Sequence, residues 1–213
     1  MVSLNHPLYE KLTKLNHPCY TINDHSDLDI IEDHKEAIAF DFILGDTSEK
    51  EKIIKSLSEK FDVMSDLTCA WGEMLCEKYD RLHGAFAASF YSPKNTIEIF
   101  LKNDKHQLLV SDLFKEIGLE TKKVSSPGHG FIYPRTISMI INEAYFSLED
   151  ELATKEDIDT AMLYGVNYPL GPIDWSKKTG LTPIKMLLDD LFETTHDKRY
   201  KLSTKLRMLE NLY

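Results

Sequence analysis

The segment S-S-P-G-H-G at residues 125–130 separates two stretches with different hydrophobic rhythms, and no single layer architecture satisfies both. Upstream, the rhythm alternates. AIAFDFIL (Ala37–Leu44) is a short continuous apolar run, as expected of a strand buried on both faces. TSEKEKIIKSLSEKF then predicts a helix with Ile53, Ile54 and Leu57 on one face. FDVMSDL reads as a second strand and GAFAASFY (Gly84–Tyr91) as a third built from small residues. TIEIFL, with Ile97, Ile99 and Leu101 alternating, reads as a fourth. HQLLVSDLFKEIG predicts a helix stopped by Gly118, and ETKKV a final strand. Strands interleaved with helices imply βαβ units and a mostly parallel sheet.

Downstream of Pro127 the strand pattern stops. Ile137, Ile140, Ile141, Ala144, Tyr145 and Leu148 form one helical stripe, and Ile184, Leu187, Leu188, Leu191 and Phe192 form another. Thr154 opens a capping box with Asp157. STKLRMLENLY predicts a last helix. The fold class expected is therefore α/β followed by all-α, with an α/β domain over residues 1–125 and a helical domain over residues 126–213.

Composition excludes several partners. The chain has 213 residues, enough to bury a sizeable core, and a formal charge of −10 argues against nucleic acid or an anionic membrane as partner. Cys19, Cys69 and Cys76 lack CxxC spacing and leave an odd thiol, which points to a reducing, cytoplasmic setting. The eight histidines include no HExxH and no pair at ligand spacing, so no metal is expected. No signal-peptide pattern opens the chain, and no apolar run approaches the ~20 residues that span a bilayer.

KEDIDTAM (Lys155–Met162), followed by Gly165, Tyr168, Pro169, Gly171 and Pro172 and then Gly180-Leu181, resembles the C-terminal domain of the 3-hydroxyacyl-CoA dehydrogenases. That family carries a KEDIDTAM-type helix, a G-x-x-Y/H-P-x-G-P turn and a helix leading to G-L-D. VSSPGHGFIYPR resembles the family's junction D-S-P-G-F-I-V-N-R, and Asn142-Glu143 its M-x-E/N-E-A segment. AIAFDFILGDTSEKEK resembles V-I-E-A-V-x-E-D-x-x-x-K, which puts Asp41 at the acidic position and Lys50 at the lysine. DRLHGAFAASFYSPKNTIEI resembles D-R-x-x-G-x-H-F-F-N-P-x-x-x-M-K-L-V-E-V. The resemblance implies a Rossmann-like NAD-binding domain, here shortened, ahead of a helical domain that forms a homodimer. It also implies an acyl-CoA held in the cleft between the two. The glycines and prolines of Gly165–Pro172 then read as a structural bend between two helices.

Hydride transfer between a 3-hydroxyl carbon and NAD needs a base, a carboxylate to orient it, and polar groups on the substrate oxygen. H-F-F-N-P falls on Ser89-Phe90-Tyr91-Ser92-Pro93, so the base position holds Ser89, a hydroxyl too weak for the task. The carboxylate position holds Glu98, either an orienting group or an ordinary strand residue. The asparagine position holds Pro134, and His129-Gly130 is inserted before it. His129 is either a rearranged cleft imidazole or a solvated loop residue. Thr68 and Cys69 stand near the family's substrate-binding serine, Cys69 being otherwise a buried thiol. Asp24 stands at the ribose-binding position or in a simple turn. Lys50 and Arg135 are the cations expected to hold phosphates, or else surface charges. No G-x-G-x-x-G occurs, so the turn that lets backbone amides reach a pyrophosphate is missing.

The expectation is a catalytically degenerate 3-hydroxyacyl-CoA dehydrogenase-like protein that makes no use of NAD and retains acyl-CoA or small-ligand binding. Two alternatives stand beside it. One is an active NAD-dependent enzyme in which Glu98 works with His129 or His83. The other is a dimeric interaction module using the KEDIDTAM region and the Ile137–Leu148 stripe.

Overall fold

In the computed structural model residues 1–2, 6–15 and 38–210 are described, and the chain divides into two units, Met1–Phe131 and Ile132–Tyr213. Cys19 and Asp24 lie outside the described residues.

The first unit is a five-stranded sheet whose spatial order is its chain order. Its strands are β1 (Ile38–Asp41), β2 (Asp62–Asp66), β3 (Leu82–Phe86), β4 (Thr96–Leu101) and β5 (Glu120–Lys123). Pairings β1–β2, β2–β3 and β4–β5 are parallel, and β3–β4 is antiparallel. Each parallel step needs a crossover. These are α2 (Thr47–Lys60), α3 (Gly72–Lys78), and a 3₁₀ turn at Asp104–His106 running into α4 (Gln107–Glu116). A capping box closes the start of α2, with Asp46 and Glu49 exchanging bonds with each other's backbone. A short helix, α1 (Tyr9–Leu12), precedes the sheet, and Val2 adds a parallel bridge to Phe42 outside β1.

Two apolar layers cover the sheet. On one face Ile53, Ile54 and Leu57 of α2 pack with Leu75 of α3, Val63, Leu67, Ala85 and Phe131. On the other, Leu8, Leu12, Val110 and Phe114 pack with Met64, Ile97 and Ile99, around Phe42, Phe86 and Phe114, whose ring centroids lie 4.8 to 6.0 Å apart.

The third strand runs upstream of the expected Gly84–Tyr91. Gly84 passes so close to β4 that an added Cβ would sit 2.4 Å from the Phe100 carbonyl oxygen. Beyond Phe86 the ladder toward β2 gives way to a side-chain bond, the Ser89 N–H donating to Thr68 Oγ1 at 3.3 Å. Sequence periodicity also passes over α3, which is too short to display more than one apolar turn.

The second unit is helical: α5 (Tyr133–Glu149), α6 (Lys155–Gly165), α7 (Pro172–Thr179), α8 (Leu181–Thr195) and α9 (Thr204–Glu210). The stripe Ile137, Ile141, Ala144, Tyr145 and Leu148 on α5 is buried, and α5 packs against α7, α8 and α9. Pro134 falls in the first turn of α5, where its missing N–H costs no helical bond. Buried Asn142 clamps the chain before α9, donating to the Lys201 carbonyl and accepting from the Ser203 N–H, each at 2.9 Å.

The Gly165–Pro172 bend has a packing explanation. Asp159 on α6 accepts the N–H groups of Ile173 (2.8 Å) and Asp174 (3.1 Å), so it caps α7 from a different helix. That carboxylate leaves no room at Gly171, where an added Cβ would stand 2.1 Å from Asp159 Cγ. Pro172 then opens α7 at a position where proline is pre-organised. The Thr154–Asp157 capping box forms as expected.

Candidate functional site

In open α/β sheets, ligands bind beyond the carboxyl ends of the parallel strands. Here the last residues of β1 and β2 are both aspartates, and each gathers a polar network. Asp41 ends β1. Its Oδ2 receives Lys50 Nζ at 2.5 Å and Ser65 Oγ at 2.7 Å, and its Oδ1 receives the Ile43 N–H at 2.9 Å. Lys50 also donates to the Ile43 carbonyl at 2.8 Å. Asp41, Lys50 and Ser65 are each fully buried.

This corrects the reading of Lys50 as a cation awaiting a phosphate. Its ammonium is shut away from solvent with a carboxylate and a carbonyl at hydrogen-bond distance. Removing one partner of such a pair costs roughly 3–5 kcal/mol, because it leaves a buried charge uncompensated.

Asp66 ends β2, on the opposite face of the sheet by strand alternation. Its Oδ1 accepts the Thr68 N–H at 2.9 Å and the Thr68 hydroxyl. Its Oδ2 accepts the Ser89 hydroxyl at 2.6 Å, with His6 Nε2 at 3.6 Å. His6 Nε2 also lies 3.3 Å from Ser89 Oγ, and His6 Nδ1 accepts the Leu8 N–H at 3.1 Å. That last bond engages the Nδ1 lone pair and assigns the ring proton to Nε2, which faces the acceptors. His6, Asp66, Thr68 and Ser89 are all buried.

Burial pushes the Asp66 carboxyl up. The His6 ring N–H beside it, the positive charge of Lys50 and the Ser89 hydroxyl outweigh burial and hold it below the ordinary aspartate range. The network thus keeps a carboxylate ionised out of water. It does not activate Ser89, because so weak a base leaves the serine proton on its oxygen.

The remaining expected site residues are dispersed. Glu98 is buried in β4, on the face opposite to Ile97 and Ile99. His129 is buried rather than solvated, its ring parallel to that of Trp71 (4°, centroids 6.1 Å apart). His83 lies at the other end of the sheet, 3.3 Å from Asp62. Arg135 belongs to the second unit, where its guanidinium lies 5.1 Å over the Tyr200 ring and donates to the Tyr200 hydroxyl. Cys69 and Cys76 are buried thiols, and burial pushes Cys76 up to about 12.

Sequence reasoning reached Thr68 and Ser89 but missed His6 and Asp66. Asp66 carried a signal, an aspartate closing a strand. His6 carried none, because only the fold brings it to Ser89.

A Rossmann dinucleotide site puts a first strand beside the fourth, running into a glycine turn and a helix. Val2, bridged to Phe42 beside β1 and followed by α1, stands in that relation. The residues between do not fit a pyrophosphate. No glycine occurs from Val2 to Tyr9, Pro7 lacks an N–H, and the buried His6 and Leu8 side chains stand ahead of the helix.

Residues 130–212 match the family described as 3-hydroxyacyl-CoA dehydrogenase, C-terminal domain. The chain is 42% identical over 87 residues to the 3-hydroxyadipyl-CoA dehydrogenase of Escherichia coli (strain K12), a stretch that is 39% of this chain and 18% of that protein. It is 36% identical over 92 residues to the 3-hydroxybutyryl-CoA dehydrogenase of Clostridioides difficile, 43% of this chain and 32% of that one. The matched stretches therefore span less than a third of either relative. In fold, the chain is similar to the crystal structure of (S)-3-hydroxybutyryl-CoA dehydrogenase from Ralstonia eutropha. The TM-score is 0.63 at 23% identity, covering 82% of this chain and 65% of that one.

Proposed function

We propose that this chain, whose residues 130–212 match the C-terminal domain of the 3-hydroxyacyl-CoA dehydrogenase family, is a member of that family that has lost hydride transfer, binds an acyl-CoA, and pairs with a second copy through its helical unit. The observation that carries the loss is the Ser89 hydroxyl, its proton directed at Asp66 inside a buried network that also absorbs His6. The poor fit of Val2 to Tyr9 to a pyrophosphate supports the same reading. Pairing is supported by α6, which buries none of its residues and carries exposed Tyr164, with exposed Leu152 and Val166 flanking it.

The test is a fluorescence titration with NADH, with and without acetoacetyl-CoA, beside a thermal-shift series and an assay of NADH oxidation. The expected outcome is stabilisation by the CoA ester alone and no oxidation. No saturation is expected up to about 1 mM NADH, a level that asks for only about −4 kcal/mol of binding. Turnover of acetoacetyl-CoA would overturn the reading. Light scattering at micromolar concentration tests the pairing, and a monomer there refutes it.

A second reading rests on the 3.3 Å approach of His6 to Ser89, which returns an imidazole to the position where the family resemblance puts the base. On that reading His6→Gln abolishes acetoacetyl-CoA reduction. On the first there is no reduction to lose.

A further inference from the structure

At the end of the sheet remote from Asp66, three segments far apart in sequence bring two imidazoles and a carboxylate together. Asp62 is the first residue of β2, His83 lies in β3, and His106 closes the 3₁₀ turn after β4. One ligand atom from each lies within 4.8 Å of the others. His83 Nε2 is 3.3 Å from Asp62 Oδ2, and the two histidine rings stand at 72° with centroids 5.3 Å apart.

The bonding inside the cluster is incomplete in a specific way. His106 is only 9% exposed, and its Nε2 has no hydrogen-bond partner; His83 Nδ1 is likewise buried and unpartnered. His83 meets Asp62 through its other nitrogen, Nε2, so the orphan that bears on the cluster is His106 Nε2; buried polar nitrogens are ordinarily satisfied, and this one calls for an explanation. A fourth residue supplies the outer support that ligating carboxylates usually have: Arg81 Nε donates to Asp62 Oδ1 at 3.1 Å and leaves Oδ2 turned toward the imidazoles.

We propose that Asp62, His83 and His106 bind a divalent transition-metal ion, with Zn²⁺ as the natural occupant. Imidazole nitrogens and a single carboxylate oxygen suit zinc, and they suit Mg²⁺ or Ca²⁺ poorly, because those ions prefer all-oxygen shells. Zinc bonds of about 2.0–2.1 Å set ligand atoms about 3.3 Å apart in a tetrahedron, which Asp62 and His83 already match. His106 has the remaining distance to close, and its Nε2 gives up no hydrogen bond in doing so. The fourth position falls to water. The ion ties the start of β2, the start of β3 and the turn into α4, so its role is to fasten this end of the sheet. Arg81 beside Asp62 and Lys105 beside His106 oppose the added positive charge and temper the affinity.

The full chain, stripped with a chelator and dialysed, is titrated with Zn²⁺ in competition with a chromogenic chelator. The expected result is a single equivalent bound per chain and a raised unfolding temperature. His83→Gln and His106→Gln should each weaken binding by at least about tenfold, with helix content unchanged by circular dichroism. Zinc binding that survives both substitutions, or no stoichiometric binding at all, overturns the proposal. Should a variant fail to fold, the unaltered chain decides. Co²⁺ must give visible absorption of tetrahedral intensity, and Zn²⁺ must shift the ring resonances of His83 and His106. Failure of either refutes the site.

Discussion

Two aspartates in this chain do comparable work in different surroundings. Asp159, half-buried on α6, accepts two N–H groups at the start of α7. Asp66, buried at the end of β2, accepts an N–H and two hydroxyls, with an imidazole close by. The first arrangement ties the start of one helix to the middle of the helix before it, within one stretch of chain. The second joins residues 6, 66, 68 and 89. A local cap is replaceable in part by water, whereas a buried carboxylate and its donors depend wholly on one another.

That contrast sets the scale of what should happen when either is removed. Asp66→Ala strands the Ser89 and Thr68 hydroxyls and the His6 ring, and should cost about 3–5 kcal/mol of stability by urea unfolding at pH 7. Equal costs for Asp66→Ala and Asp159→Ala would break the comparison.

The same carboxylate sets a pH dependence. Its folded pKa is depressed, so its stabilisation is complete above the unfolded aspartate value, near 3.8, and is lost as pH falls through the lower folded value. Asp66→Asn should therefore lose less stability than the unaltered chain between pH 7 and pH 3, as read from urea midpoints.

Gly171→Ala comes next, at about 1–3 kcal/mol from overpacking against Asp159. Most of that cost should vanish in an Asp159→Ala background, which a double-mutant cycle reads directly. Asp159→Ala alone should cost about 0.5–2 kcal/mol, the range of a lost helix cap. The smallest effect is expected from Glu98→Gln, which should leave any NADH oxidation unchanged. A drop of more than about tenfold, or about 1.4 kcal/mol, would restore Glu98 to a catalytic role.

Legibility in the sequence follows the same division. The helices Thr47–Lys60 and Tyr133–Glu149 and the strand Thr96–Leu101 could be read because a 3.6- or 2-residue period is a local property. Asp159 and Gly171 lie in a run whose turn residues announced a bend, although the cap itself needed coordinates. The helix Gly72–Lys78 escaped because seven residues, about two turns, show too little of a period. The division between the units falls after Phe131 rather than at the Pro-Gly punctuation, because the Phe131 side chain joins the apolar layer under α2. His6 beside Ser89, and His106 beside His83 and Asp62, were out of reach for another reason: neither pairing leaves any trace in spacing.

The agreement between spatial and chain order in the sheet also governs how the fold is reached. Every strand pairs with its sequence neighbour, so each pairing closes a loop no longer than one crossover, and the entropy of closure grows only slowly with such lengths. The opening segment is different. Its amino group bonds to a carbonyl 39 residues away, and His6 meets Ser89 across 83 residues. Assembly should therefore run outward along the sheet as a chain of near-neighbour steps. The first few residues then dock last, onto a sheet that is already complete.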